Sequence, residues 1–235
     1  MKQHIRLLFI TLTLFLAFSV HAQVSNYKPG DIVSEQVIKK IGEKAFFSSQ
    51  PIPDPIFKFM QGKSFKSNCV TKRSELCYIL CLHIDRKGRS IVGEMVVNKS
   101  IAKDVLDIFL QLYQAKYPIE RMRLIDNWDG NDERAMKANN SSSFNFRFIS
   151  HTQKVSKHGK GLAIDINTLY NPYHKRLRNG KEVIEPTTGK PYLNRHQQHP
   201  YMIQRGDLCY RLFKQKGFKW GGDWKSMKDY QHFEK

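Results

Sequence analysis

This sequence predicts an α+β fold, a small antiparallel sheet with flanking helices, and three stretches carry that expectation. Residues 78–84 and 91–97 are apolar runs separated by Asp85-Arg86-Lys87-Gly88-Arg89, the signature of a hairpin. Ser100 precedes a run in which Ile101, Val105, Ile108, Phe109 and Leu112 recur at helical spacing, and can serve as its cap. From Gly161 the chain alternates, with Leu162, Ile164 and Ile166 on one side and Ala163, Asp165 and Asn167 on the other. That is a strand with one apolar and one polar face.

Taken in order, residues 1–22 read as a secretory signal peptide. Lys2 and Arg6 supply the positive start, residues 7–20 are apolar or hydroxylated, and Val20-His21-Ala22 ends in small residues. The apolar run is too short for a comfortable membrane span, and no later segment is apolar enough for one. No cysteine follows it, so no lipid anchor is indicated. The mature chain is therefore expected to be exported and soluble, periplasmic or secreted, and monomeric.

Residues 23–75 are irregular, with Pro29-Gly30, a proline-rich run at 51–55 and a short helical pattern through Ile38 and Ile41; they read as an N-terminal extension. Pro118 stops the long helix, a strand is expected near 122–125, and a polar turn follows. Phe144, Phe146 and Phe148 alternate inward, placing Ser143, Asn145 and Arg147 on the opposite side. Residues 168–200 are rich in turn formers, with signals at Asn179-Gly180 and Thr188-Gly189, and are expected to be a long irregular wall beside the polar strand. His174, His196 and His199 in it have no ligand spacing and read as surface. A last helix over about 207–216, with Leu208, Leu212 and Phe213 inward, is capped by Gly217.

The formal net charge is +18, and +16 once Lys2 and Arg6 are removed. Such a field favours polyanions. An exported protein meets cell-wall polymers and anionic lipid surfaces first, so no nucleic-acid partner is expected. Cys69, Cys77, Cys81 and Cys209 are too sparse for a disulfide scaffold. Cys77 and Cys81 on one strand would stand ~13 Å apart and cannot pair. Cys69 with Cys77 is conceivable, but most of the four fit better as small buried apolar residues.

The polar strand carries the chemistry. Gly159 and Gly161 favour a turn that brings His158 back over Asp165, where only the small Ala163 crowds the space. A histidine and an aspartate offer nitrogen and oxygen to zinc, and a catalytic site needs one more protein ligand and an open position. His232 is the choice for that third ligand, with Asp229 a carboxylate close by that is not needed as a ligand.

Each fragment alone is weak, but together they resemble the zinc D-alanyl-D-alanine carboxypeptidase and L-alanyl-D-glutamate endopeptidase family. The resemblance rests on Ser156, His158, Gly161, Ala163 and Asp165, then Trp220-Gly221-Gly222-Asp223-Trp224, then Asp229, His232, Phe233 and Glu234, and on the hairpin-helix-strand order from residue 76. It implies a fold shared with hedgehog signalling domains, with one zinc per chain on the open sheet face and residues 76–235 as the catalytic domain. It also implies a peptidoglycan or muropeptide substrate, cut at a bond involving D-amino acids by a carboxypeptidase or endopeptidase. Zinc would be held by His158, Asp165 and His232; Asp229 would be the general base and Arg147 the oxyanion donor. Ser156, Ser143 and Trp224 would meet the substrate. Many relatives have Glu where this chain has Asp229, which is shorter by one methylene, so its backbone must come closer to the metal. Two other classes compete: a non-catalytic zinc-containing binding module of the same fold, and a basic polyanion-binding protein.

Overall fold

The computed structural model describes residues 24–149 and 152–235. The expected signal peptide, residues 1–22, lies outside them. The centre of the fold is a four-stranded sheet in the order β1-β4-β3-β2, formed by β1 (Ile32–Val33), β2 (Ser48–Gln50), β3 (Leu76–Ile84) and β4 (Ser90–Asn98). The expected hairpin is β3–β4, in unbroken antiparallel register from Leu76↔Asn98 to Ile84↔Ser90. Its tip is closed by Asp85, whose Oδ1 accepts from Lys87 N at 2.9 Å and Arg89 N at 3.0 Å. Within residues 24–75, β1 and β2 form the two edges of this sheet. Helix α1 (Glu35–Ile41) follows the pattern through Ile38 and Ile41. The proline-rich run, expected to be irregular, leads into helix α2 (Asp54–Met60). Pro55 stands in its first turn, where a missing backbone N–H costs nothing.

Helix α3 (Lys99–Gln114) buries Ile101, Val105, Ile108, Phe109 and Leu112 as expected. Its cap is Asn98 rather than Ser100: the Asn98 side chain accepts from Ser100 N at 3.1 Å. The buried face packs with Ile79, Met95 and Val97 of the hairpin in the largest core cluster. Each such side chain removed from water contributes roughly 1.5–3 kcal/mol. The strand expected over 122–125 is shorter and earlier: β5 (Arg121–Met122) gives way to a 3-10 turn, Ile125–Trp128. Helix α4 (Asp132–Lys137) and β6 (Asn140–Ser141) follow, β6 running parallel to β5. Phe144 and Phe146 are buried and Phe148 partly so, in one cluster. Ser143 and Asn145, expected on the side opposite the phenylalanines, are buried too.

The polar strand is β7 (Ala163–Asp165). Residues 168–200 are not wholly irregular: β8 (Tyr173–Arg176) and β9 (Glu182–Glu185) pair around the Asn179-Gly180 turn, and a 3-10 segment spans Thr187–Leu193. His174 bonds Glu182 at 3.1 Å and His199 stacks on Tyr170 with centroids 4.0 Å apart. Helix α5 (Leu208–Gln215) is capped by Asp207, whose Oδ1 accepts from Tyr210 N at 2.7 Å. The chain then forms β10 (Lys219–Trp220), β11 (Lys228–Asp229) and β12 (His232–Glu234). Two three-stranded sheets result, β10-β12-β7 and β11-β8-β9. All four cysteines are free, three of them buried, so Cys69 and Cys77 are not paired. No helix among the described residues is long and apolar enough to cross a membrane.

Candidate metal centre

Strands β7 and β12 pair so that His232 stands directly opposite Asp165, and Phe233 opposite Ile164. Side chains alternate across a strand, so this register sends the apolar pair into the core and the polar pair to the other face. His158 arrives from a 3-10 turn, His158–Lys160. Ser156 Oγ tightens that turn by accepting from Gly159 N at 2.9 Å. Gly161 ends it at φ +65°, where a Cβ would lie 2.7 Å from Asn98 N. Only glycine lets the turn dock on the end of β4, where Asn98 N donates to Gly161 O at 2.8 Å.

The three side chains converge. His158 Nε2 lies 3.2 Å from Asp165 Oδ2, and His232 Nδ1 lies 3.1 Å from Asp165 Oδ1. The two ring nitrogens are 3.0 Å apart. The far side of each ring is committed: His158 Nδ1–H donates to Ser143 O at 2.7 Å, and His232 Nε2–H to Glu234 Oε2 at 3.3 Å. With those protons placed, the lone pairs of His158 Nε2 and His232 Nδ1 point at one another beside a carboxylate. A proton on His232 Nδ1 or a metal ion between the rings satisfies them, and histidines oriented by a carbonyl and a carboxylate are a recurrent arrangement around metals. Among the described residues this trio forms a group that could hold a metal ion, its donor atoms all within 4.8 Å of one another. Burial disfavours charge on Asp165, yet His158 and His232 hold its carboxyl well below the usual range. Burial would lower His232 as well, but Asp165 and Glu234 push it up to about 10. The pocket thus pulls strongly for positive charge at His232 Nδ1, which a proton or a metal can satisfy.

Asp229, on β11, stands outside the trio. Its Oδ1 is enclosed and has no hydrogen-bond partner, and burial pushes its carboxyl up to about 7 against the pull of His232. A cation on the trio would draw that value down and leave the carboxylate ionised near neutrality. Gly221 makes room for it: a Cβ there would lie 2.5 Å from Asp229 O and 2.7 Å from Asp229 Cβ. The aspartate's backbone therefore lies tight against the Trp220–Trp224 turn.

Arg147 is half-exposed and pairs with Asp132 at 3.1 Å. Burial raises the carboxyls of both Asp229 and Glu185, and Arg147 is near enough to oppose that rise at each. Trp224 leans on His232, ring centroids 5.4 Å apart, and walls one side. Ser143 contributes its carbonyl to His158, while its buried hydroxyl has no partner. Ser156 is engaged in the turn by its hydroxyl. The parts that sequence reasoning left without a role are Glu234 and the Ser143 carbonyl. Glu234 was legible from period two, which puts it on the same side of β12 as His232; the carbonyl left no sequence signal.

Residues 150–235 match a protein family described as D-alanyl-D-alanine carboxypeptidase. This segment holds the whole trio together with Asp229 and Trp224, and it is that of a hydrolase acting on peptide bonds. Over these residues the resemblance to the carboxypeptidase family holds. Arg147, Ser143 and the β3–β4 hairpin precede the matched stretch. No solved structure matches the chain.

Proposed function

We propose that this chain is an exported zinc peptidase that hydrolyses peptide bonds involving D-amino acids in peptidoglycan stem peptides. The observation that carries the reading is the convergence of His158, Asp165 and His232 with both far-side protons already assigned. Two nitrogens and one carboxylate, with a further position open, are a catalytic zinc donor set. Zinc held there supplies a Lewis acid that polarises a carbonyl and makes water acidic near neutral pH.

The rest falls to the chain's own side chains. Asp229, whose Oδ1 is enclosed and free of hydrogen bonds, takes the proton of the attacking water and hands it to the leaving amine as the amide bond breaks. Arg147 offers fixed planar donors to the oxyanion that develops on the carbonyl. Glu234 and the Ser143 carbonyl hold the two imidazoles in register, and Trp224 shields His232 from solvent.

The test is Asp229→Asn, which keeps size and removes only the ability to accept a proton. Zinc content should stay at the wild-type level while release of D-alanine from a stem peptide ending in D-alanyl-D-alanine, or cleavage within the stem, falls by roughly 10²- to 10⁴-fold. Loss of zinc would make Asp229 a ligand instead of a base. A zinc-loaded wild type that cuts no stem peptide would refute the peptidase reading itself.

A further inference from the structure

The tip of the β3–β4 hairpin borders a cavity of about 420 Å³ that shares no lining residue with the metal centre. Five cations line it, Arg86, Lys87 and Arg89 from the tip and Arg121 and Arg123 from β5 and its continuation. Two carboxylates face them. One, Asp85, is consumed by its own turn: it accepts two backbone N–H groups, and Arg89 Nε at 2.7 Å. The other, Glu120, is held by Asn139 Nδ2 at 2.7 Å. Arg86, Lys87 and Arg121 are exposed, and none has an ion pair among the described residues.

The frame around these cations is built. Arg123 is anchored from behind by buried Glu94, Nε to Oε1 at 3.0 Å. Gly30, at φ +98°, leaves room for it, since a Cβ there would lie 2.7 Å from Arg123 Nη1. The backbone of Arg86 is pinned by Tyr201, whose Oη accepts from Arg86 N at 2.9 Å. Holding like charges together around a concave space is unfavourable unless an anion enters, and guanidinium donors match the oxygens of phosphate.

We propose that this cavity is a binding site for phosphate groups, separate from the metal centre and independent of what that centre hydrolyses. A multiply charged phosphate suits it better than a single carboxylate, because Arg86, Lys87 and Arg121 still outnumber Glu120 and leave more positive charge than one added carboxylate can neutralise.

The mature chain is titrated calorimetrically with inorganic pyrophosphate at fixed ionic strength. Arg86→Glu/Arg121→Glu, both at exposed positions, should weaken binding roughly tenfold or more. Lys58→Glu/Lys66→Glu changes the net charge equally on exposed lysines elsewhere and should leave it within about twofold. Equal losses in both pairs would reduce the effect to diffuse charge and overturn the site, as would an absence of binding to the wild type. Pyrophosphate also binds metals, so His158→Ala must retain the wild-type affinity; loss there would assign the binding to the metal centre. Repeating the titration with poly(glycerol phosphate) identifies the source. Tighter binding per chain than pyrophosphate marks a polymer-borne phosphate, and equal or weaker binding marks a small free one.

Discussion

Gly221 packs directly against Asp229, so Gly221→Ala is a sharp probe of the site. The added methyl would start 2.5 Å from Asp229 O and 2.7 Å from Asp229 Cβ, where ordinary contact begins near 3.4 Å. Roughly 0.9 Å of movement is needed, and the atoms in the way all belong to Asp229. The Trp220–Trp224 turn cannot easily recede. Lys228 Nζ is bonded to Gly222 O at 3.1 Å and Trp224 O at 2.6 Å, and Trp220 Nε1 to Tyr230 O at 2.9 Å. Relief therefore comes from shifting Asp229 relative to the trio. Overpacking of this kind costs about 1–3 kcal/mol of stability. A displacement of that size in a reacting group costs about 10²-fold in rate. Metal content, thermal midpoint and stem-peptide hydrolysis are measured on one preparation. Retained metal, a lowered midpoint and a hundredfold slower reaction are expected. Full activity in a folded variant would show that the placement of Asp229 is not what the reaction depends on.

Three further outcomes are expected. Glu234→Gln keeps size but removes the carboxylate that orients His232, so a metal-buffered competition assay should show affinity lower by about 10- to 100-fold; unchanged affinity would make Glu234 incidental. Arg147→Lys should keep metal and fold but lose about 10²-fold or more in turnover, since lysine lacks the planar fork; unchanged kinetics would leave Arg147 as a surface partner of Asp132. His83 is buried with its pKa lowered to about 4 by desolvation, against the bond from Nδ1 to Ile119 O. Its contribution is complete above the unfolded value near 6.5 and lost as pH falls toward 4, about 3 kcal/mol in all. Denaturant midpoints of wild type and His83→Gln should therefore converge as pH drops from 7 to 4.5; parallel curves would contradict this.

The convergence of His158, Asp165 and His232 was legible in parts: alternation placed Asp165 and the two glycines turned His158 back, while His232 followed from the resemblance that joins the two fragments, since its own spacing is a weak signal. The same alternation failed at residues 143–148. There Ser143 and Asn145 are buried against neighbouring loops, and burial of that kind depends on segments far away in sequence. The proline-rich run hid α2 because proline within a first turn looks, in isolation, like a breaker. The edge strands β1 and β2 are two and three residues long, too short for any period to show. The β8–β9 hairpin was masked by its polar composition, since neither strand buries a face deeply enough to demand apolar residues.

Asp165 and His232 are neighbours across two strands yet 67 residues apart in the chain. The hairpin β8–β9, α5, β10 and β11 all lie in the stretch they enclose. An ion bound between them is a cross-link spanning that loop, and a tie of this length restricts an unfolded chain by ~4 kcal/mol on the chain-entropy account. With its four cysteines free, this fold has no covalent bridge doing the same task. The ion would then be a reversible clasp as well as a reagent, and a chelator that silences the site would also loosen the last third of the molecule.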